Sequence, residues 1–242
     1  MQLTTFDIES NPAQTYVTVN LSGQGGVMNA KEKALIPKGA EIGLGAVFVP
    51  YTNFYFAGEN LFSLENPARL FTMIRNPVDR IASEYYEFIN NQPISDQVMS
   101  FDQFIDSEHY QKNWFTGFVT GVLDKPVTES YLSLAKEILR TKYIIGTHDD
   151  IYGSIELFED YFFWRSEGSH TKRACQKKSM RGEFIRNFAI YHKVGHKIRV
   201  NSTLYQHIVD MNRLDMELFW HGVEIHRKQR SWIPILDHTL RL

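Results

Sequence analysis

The stretch "RLFTMIRNPVDRIASEYYEF" (69–88) changes character at Arg75, and this change decides the predicted fold. The apolar run "ARLFTMI" (68–74) has the continuous hydrophobicity of a strand that is buried on both faces of a parallel sheet. Pro77 follows almost at once, and proline is well tolerated at the first position of a helix, where its missing N–H costs nothing. We therefore predict a strand that ends beside Arg75 and a helix over residues 77–89.

This junction predicts a binding site for an anion. Ligands of open parallel sheets bind beyond the carboxyl ends of the strands, and Arg75 stands at such an end. The free N–H groups and the positive dipole end of the following helix favour an anion. Arg75 can bind a phosphate through two N–H groups, and Ser83, two turns along the helix, can add a hydroxyl donor. One alternative stays open, in which Arg75 pairs with Asp79 or an exposed glutamate in an ordinary capped turn.

The composition is that of an ordinary globular protein and narrows the classes of function. The chain has 242 residues, 43% of them hydrophobic, and a net charge of -2, so we predict no nucleic-acid partner. The single Cys175 excludes an internal disulfide and a cysteine cluster. No H-E-x-x-H motif occurs among the histidines, and we predict no metal site. The first residues lack the features of a signal peptide, and no apolar stretch reaches roughly 18 residues, so we predict no membrane span.

Strand and helix patterns alternate along the chain. Strands are predicted at 15–21, 45–56, 68–74 and 142–147. Helices are predicted at 29–36, at 77–89, within "SFDQFIDS" and "HYQKNWFTGFVTGVL", at 127–140, at 149–164, and as one long helix at 202–229. Asn29 and Thr128 are the predicted N-caps of the helices at 29–36 and 127–140. The stretch "SGQGG" (22–26) is predicted to be a loop. This order predicts an α/β fold with a largely parallel central sheet and a helix-rich C-terminal half.

The motif around Arg75 resembles a segment of a known enzyme family. "FTMIRNPVDRIASEYYEF" is similar to the R-[DN]-P-x-x-R-x-x-S-x-Y-Y segment of sulfotransferases of the carbohydrate and heparan-sulfate 2-O type. These enzymes use 3′-phosphoadenosine 5′-phosphosulfate (PAPS), and the resemblance implies that Arg75 and Ser83 hold its 3′-phosphate. Three later stretches resemble the family in the same order, so that the similarity spans residues 68–226: "FDQFIDSEHYQKNWFTGFVTGV", "AKEILRTKYIIGTHDDIYGSIELFEDYF" and "VNSTLYQHIVDMNRLDMELFWHG".

The resemblance carries expectations about fold, activity and location. It implies a single domain over residues 1–242 with the P-loop-NTPase-like, three-layer fold of sulfotransferases. It implies transfer of a sulfuryl group from PAPS to a hydroxyl of a carbohydrate, in the Golgi lumen by family analogy, although a soluble cytoplasmic location is the alternative. A basic segment is implied to contact the cofactor or an acidic glycan, with a solvated loop as the alternative reading; its residues are Lys172, Arg173, Lys177, Lys178 and Arg181.

Two departures from the family pattern bear on activity. The loop P-K-[TSAG]-G-[TS]-[TS], which holds the 5′-phosphosulfate in the family, has no convincing counterpart, and we expect the chain to begin downstream of it. Phe48 stands where the 2-O enzymes have their catalytic histidine, and phenylalanine cannot accept a proton. Glu59 and His148 are candidates for another base, but we assign no catalytic residue. The alternative function is therefore a catalytically inactive or truncated sulfotransferase-like binding protein.

Overall fold

The computed structural model describes residues 6–7, 15–16, 24–34, 54–62, 70–91, 99–122, 124–162, 198–200 and 202–232. The chain divides into two compact units. One unit comprises Met1–Phe71 with Phe115–Ile144, and the other comprises Thr72–Trp114 with Ile145–Leu242. The expectation of a single domain stays a prediction. The basic segment and Phe48 lie outside the described residues.

Helices dominate the described residues. In chain order, the elements are β1 (Phe6–Asp7), β2 (Thr15–Tyr16), α1 (Gln24–Glu32), α2 (Phe54–Leu61), β3 (Leu70–Ile74), α3 (Pro77–Asn90), α4 (Phe101–Ile105), α5 (Trp114–Thr120), α6 (Glu129–Lys142), β4 (Tyr143–Thr147), a 3-10 turn (His148–Asp150), α7 (Ile151–Tyr161), α8 (Thr203–Met211) and α9 (Arg213–Arg230). β1 and β2 pair antiparallel, and β3 and β4 form a short parallel pair. The prediction of a mixed fold of helices and parallel strands is confirmed at this level.

The two parallel strands differ in burial. All five residues of β4 are buried, as predicted for a strand of the sheet interior. In β3 only Ile74 is buried, and Met73 is 41% exposed, so the prediction that the whole strand is covered on both faces is wrong. Successive side chains of a strand point to opposite faces. Ile74 packs against α9 at Gly222, where an added Cβ would lie 2.6 Å from Ile74 Cδ1, whereas Met73 lies on the other face.

Helix α9 is bonded directly to the backbone of β4. The Ile145 N–H donates to Gln229 Oε1 at 2.8 Å, and His226 Nδ1 lies 2.7 Å from the Ile145 carbonyl oxygen. Because a carbonyl can only accept, Nδ1 is the ring nitrogen that carries the hydrogen in this bond. Ser154 of α7 accepts the Thr147 N–H at 2.8 Å. Three buried side chains therefore fix the strand that precedes His148.

Helix α3 is held by an apolar cluster below its inward face. Val78 and Ile81 of α3 are buried together with Phe104 and Ile105 of α4 and with Ile208 of α8. The spacing of Val78 and Ile81 along the sequence is that of one helical face. This packing fixes the direction in which the outward residues of α3 point.

Several predicted elements have different limits in the structure. Helix α1 begins at Gln24, inside the predicted "SGQGG" loop, so Asn29 lies within the helix and is not its N-cap. Val27 and Ala30 are buried in a helix that packs against α2, and this burial outweighs the low helix propensity of glycine. Residues 54–56, predicted as strand, form the start of α2. The Thr128 hydroxyl bonds the Ser130 hydroxyl at 2.8 Å and makes no side-chain cap to α6.

Candidate functional site

Arg75 and Ser83, the two residues predicted to bind an anion, are in direct contact. Arg75 lies immediately after β3, and its Nη1 donates to Ser83 Oγ at 2.7 Å. Ser83 Oγ in turn donates to the carbonyl oxygen of Asp79, one helical turn earlier, at 3.1 Å. Both side chains are only partly exposed. The helix therefore orients the guanidinium through the serine hydroxyl, which makes Ser83 a support for Arg75 in this arrangement.

The first turn of α3 offers fewer backbone donors than its sequence suggested. Asn76 is the N-cap, and its Oδ1 accepts the Val78 N–H at 2.9 Å. Pro77 has no N–H, and the Arg80 N–H donates to the Asn76 carbonyl at 2.9 Å. The asparagine immediately before Pro77 was the signal for this cap, and the sequence interpretation gave it no weight. An anion at this junction therefore depends chiefly on side chains.

His148 lies at the same edge of the sheet as Arg75. It is the first residue after β4, as Arg75 is the first after β3, and parallel strands end at the same edge. Burial, followed by the charge of Arg75, lowers the pKa of the His148 imidazole from its usual value of about 6.5, while Asp149 and Asp79 act in the opposite direction. The ring is therefore neutral near pH 7, and a neutral imidazole can accept a proton.

Glu59, the other candidate base, belongs to the other unit. It lies on α2, and its Oε1 is 2.8 Å from Lys142 Nζ, with both side chains about half exposed. This arrangement is an ordinary surface ion pair, which contributes little to stability. Of the two candidates, only His148 lies in the unit that contains Arg75.

Arg80, the second arginine of the motif, belongs to an internal ionic cluster. Its Nη1 is 2.6 Å from Glu84 Oε2, its guanidinium lies 5.4 Å from the centre of the Trp114 ring, and its Nη2 is 4.0 Å from Asp215 Oδ2. Asp215 is completely buried. Burial raises the pKa of the Glu84 carboxyl although Arg80 opposes the shift. The contacts of Arg80 therefore give it a structural role, in which it holds α3 to Trp114 and to α9.

Two asparagines connect the segments that carried the family resemblance. Asn113 Oδ1 accepts the N–H groups of Leu214 and Asp215, at 3.0 and 3.3 Å, at the start of α9. Asn212 Oδ1 accepts the Asn113 N–H at 3.1 Å and the Tyr110 hydroxyl, and burial raises the pKa of that hydroxyl. These bonds hold the start of α9 to the segment that precedes α5. Sequence reasoning gave the two asparagines no function.

The remaining predictions concern the basic segment, a metal site and a membrane span. The basic residues at 172–181 lie outside the described residues. So do His192 and His196, which stand in an H-x-x-x-H spacing, so the structure does not test the prediction of no metal site at that position. Within the described ranges, no three histidine, cysteine or acidic side chains come together as metal ligands. In the same part of the chain, no helix combines the length and hydrophobicity needed to cross a membrane. Comparisons with protein-family models, with curated proteins and with solved structures found no match.

Proposed function

We propose that the chain is a PAPS-dependent sulfotransferase domain that acts on a hydroxyl of a carbohydrate acceptor. The observation that supports this most directly is the bond between Arg75 Nη1 and Ser83 Oγ at the carboxyl edge of the parallel strand pair. In the proposal, Arg75 binds the 3′-phosphate of PAPS, and the domain has the P-loop-NTPase-like, three-layer architecture of sulfotransferases. The Golgi lumen is the compartment that the resemblance suggests.

The proposed reaction is an in-line displacement at sulfur. The acceptor hydroxyl oxygen attacks the sulfur atom of PAPS, the bond from sulfur to the bridging phosphate oxygen breaks, and adenosine 3′,5′-bisphosphate leaves. A base takes the hydroxyl proton, and cationic groups stabilise the charge on the departing oxygen. Arg75 acts on binding and orientation. An arginine already oriented by Ser83 loses less conformational freedom when it binds a phosphate through two N–H groups.

Calorimetric binding of adenosine 3′,5′-bisphosphate tests the proposal. Hydrogen bonds to charged groups contribute about 1.5–3 kcal/mol, so Arg75→Ala is expected to weaken binding roughly 10- to 150-fold. Arg227→Ala removes the same charge from an exposed position on α9 and is expected to leave the affinity unchanged. Adenosine 5′-monophosphate, which lacks the 3′-phosphate, is expected to bind weakly and with no dependence on Arg75. Equal affinity of the wild type and Arg75→Ala for the bisphosphate would refute the assignment.

The sequence departures support a second candidate, a sulfotransferase-like protein that binds without turnover. Phe48 replaces the histidine of the 2-O enzymes, and the loop for the 5′-phosphosulfate has no convincing counterpart. Transfer of radioactive sulfate from labelled PAPS to a panel of polysaccharides distinguishes the two. Transfer that depends on Arg75 supports the enzyme, whereas tight nucleotide binding with no transfer to any polysaccharide supports the binding protein. Replacing Lys177 and Lys178 by glutamate tests the proposed glycan contact of the basic segment.

A further inference from the structure

Arg75 and His148 occupy equivalent positions on two neighbouring parallel strands. Arg75 follows the last residue of β3, and His148 follows the last residue of β4. Both side chains are partly buried, and the bond to Ser83 fixes the direction of the guanidinium. Because β3 and β4 are paired in parallel, these two positions are neighbours at one edge of the strand pair, and the charge of Arg75 contributes to lowering the pKa of the His148 imidazole. The strand edge therefore carries one permanent cation and one group that can become a cation.

The charges around His148 come from four places in the fold: the end of β3, helix α3, the 3-10 turn and helix α9. Arg75 disfavours a proton on the imidazole, while Asp79 of α3 and Asp149 of the 3-10 turn favour one. Helix α9 directs Arg230 and His226 to the neighbouring Asp150, at 3.0 and 3.8 Å from Asp150 Oδ2. An anion bound by Arg75 would add negative charge beside the imidazole. The unfavourable effect of the arginine on a protonated histidine would then be offset by the shared ligand.

We infer that His148 is a second cationic ligand of the anion that Arg75 binds, and that the bound anion favours protonation of its imidazole by solvent. The identification of this anion as the 3′-phosphate of PAPS rests on the proposed function; the pairing of Arg75 with His148 does not. The protonated ring donates an N–H to an anion oxygen, and no covalent bond of the ligand changes. Affinity for the anion therefore increases as the pH falls through the range in which His148 titrates.

Nuclear magnetic resonance gives a direct measurement on the whole chain. The Cε1–H signal of His148, assigned by its loss in His148→Asn, is followed from pH 5 to pH 8 without ligand, with adenosine 3′,5′-bisphosphate and with inorganic sulfate. Sulfate is included because it does not titrate in this range, whereas a phosphate does, with a pKa of about 6. Either ligand is expected to raise the pKa of His148 by about one unit. A shift of one unit corresponds to a tenfold gain in affinity between pH 8 and pH 5.

Two variants separate this inference from a purely structural role of the histidine. Arg75→Gln is expected to raise the pKa of His148 without any ligand, because it removes the neighbouring cation. His207→Asn is the matched control, since His207 lies on α8 beside Asp106, at 3.5 Å, and is about half exposed. Sulfate binding by this control should keep the pH dependence of the wild type, and sulfate binding by His148→Asn should lose it.

Each outcome bears on the inference or on the proposed function separately. If the nucleotide binds through Arg75 and the pKa of His148 does not move, the inference is overturned and the proposed function stands. If sulfate raises the pKa of His148 but the nucleotide does not bind, the anion site stands and the proposed function fails. If neither ligand moves the pKa and neither binds, both are refuted. An unchanged pKa of His148 in Arg75→Gln would also refute the inference that Arg75 and His148 lie close together.

Discussion

Replacement of Asn113 tests how the segments with family resemblance are held together. Asn113 caps α9 from outside the helix, because its Oδ1 accepts the Leu214 and Asp215 N–H groups. Its backbone has a φ of 52°, in the left-handed region that asparagine and glycine tolerate better than other residues. Asn113→Ala therefore removes the cap and places an unsuited residue in this conformation. Asn113→Gly removes the cap but accommodates the backbone.

The expected losses of stability follow from two contributions, the lost cap and the backbone conformation. Loss of an N-cap costs roughly 0.5–2 kcal/mol, and a left-handed conformation costs a residue such as alanine roughly 1–2 kcal/mol. We expect the free energy of unfolding to fall by about 1.5–4 kcal/mol in Asn113→Ala and by about 0.5–2 kcal/mol in Asn113→Gly. Glycine avoids the cost of the left-handed conformation, but part of this advantage over alanine is lost because glycine also increases the conformational entropy of the unfolded chain.

Urea unfolding, followed by far-ultraviolet circular dichroism and by tryptophan fluorescence, measures these differences. Trp114 is the next residue in the chain and lies beside Arg80, so its emission reports on the same region. If Asn113→Ala were as stable as the wild type to within about 0.5 kcal/mol, the cap would contribute nothing and the reasoning would fail. If glycine and alanine were equally destabilising, the argument from the backbone conformation would be wrong.

Two further substitutions test the strand pair and the anion site. Gly146→Ala in β4 places a Cβ 2.7 Å from Phe158 Cζ and 2.8 Å from Ser154 Cβ, and we expect a loss of about 1–3 kcal/mol in urea unfolding. Gly25→Ala in α1 is the control, because its Cβ meets nothing within 4 Å, and a destabilised Gly25→Ala or an unaffected Gly146→Ala would contradict the packing. Ser83→Ala removes the acceptor of Arg75 Nη1 and is expected to weaken binding of adenosine 3′,5′-bisphosphate about five- to tenfold by calorimetry; unchanged affinity would mean that Arg75 needs no support.

Elements with strong local signals were predicted well. The pattern at 127–140 became α6 (Glu129–Lys142), and "KYIIGT" became β4 (Tyr143–Thr147), because a regular apolar spacing and a short buried run depend on few distant contacts. The helix after Pro77 begins where the proline predicts it. The closeness of Arg75 and Ser83 was also predictable, since Arg75 precedes α3 by two residues and Ser83 lies about two turns into that helix.

Features that depend on distant residues were not predictable from local patterns. One long helix was predicted over 202–229, yet the structure has two helices, α8 and α9, which are separated at Asn212 although no proline or glycine occurs there. The break reflects bonds that Asn212 makes to Tyr110 and Asn113, about a hundred positions earlier in the sequence. The position of His148 beside Arg75 likewise depends on which strands pair, which no single segment specifies.

The bonds that α7 and α9 make to β4 also bear on how copies of the protein behave in concentrated solution. An exposed strand edge can pair with a strand of another molecule and begin aggregation. At Ile145 and Thr147 the backbone groups on one side of β4 are already bonded to Gln229, His226 and Ser154. A second molecule could add a strand there only after these side chains had withdrawn. Helices α7 and α9 thus prevent this edge of β4 from pairing with a strand of another molecule.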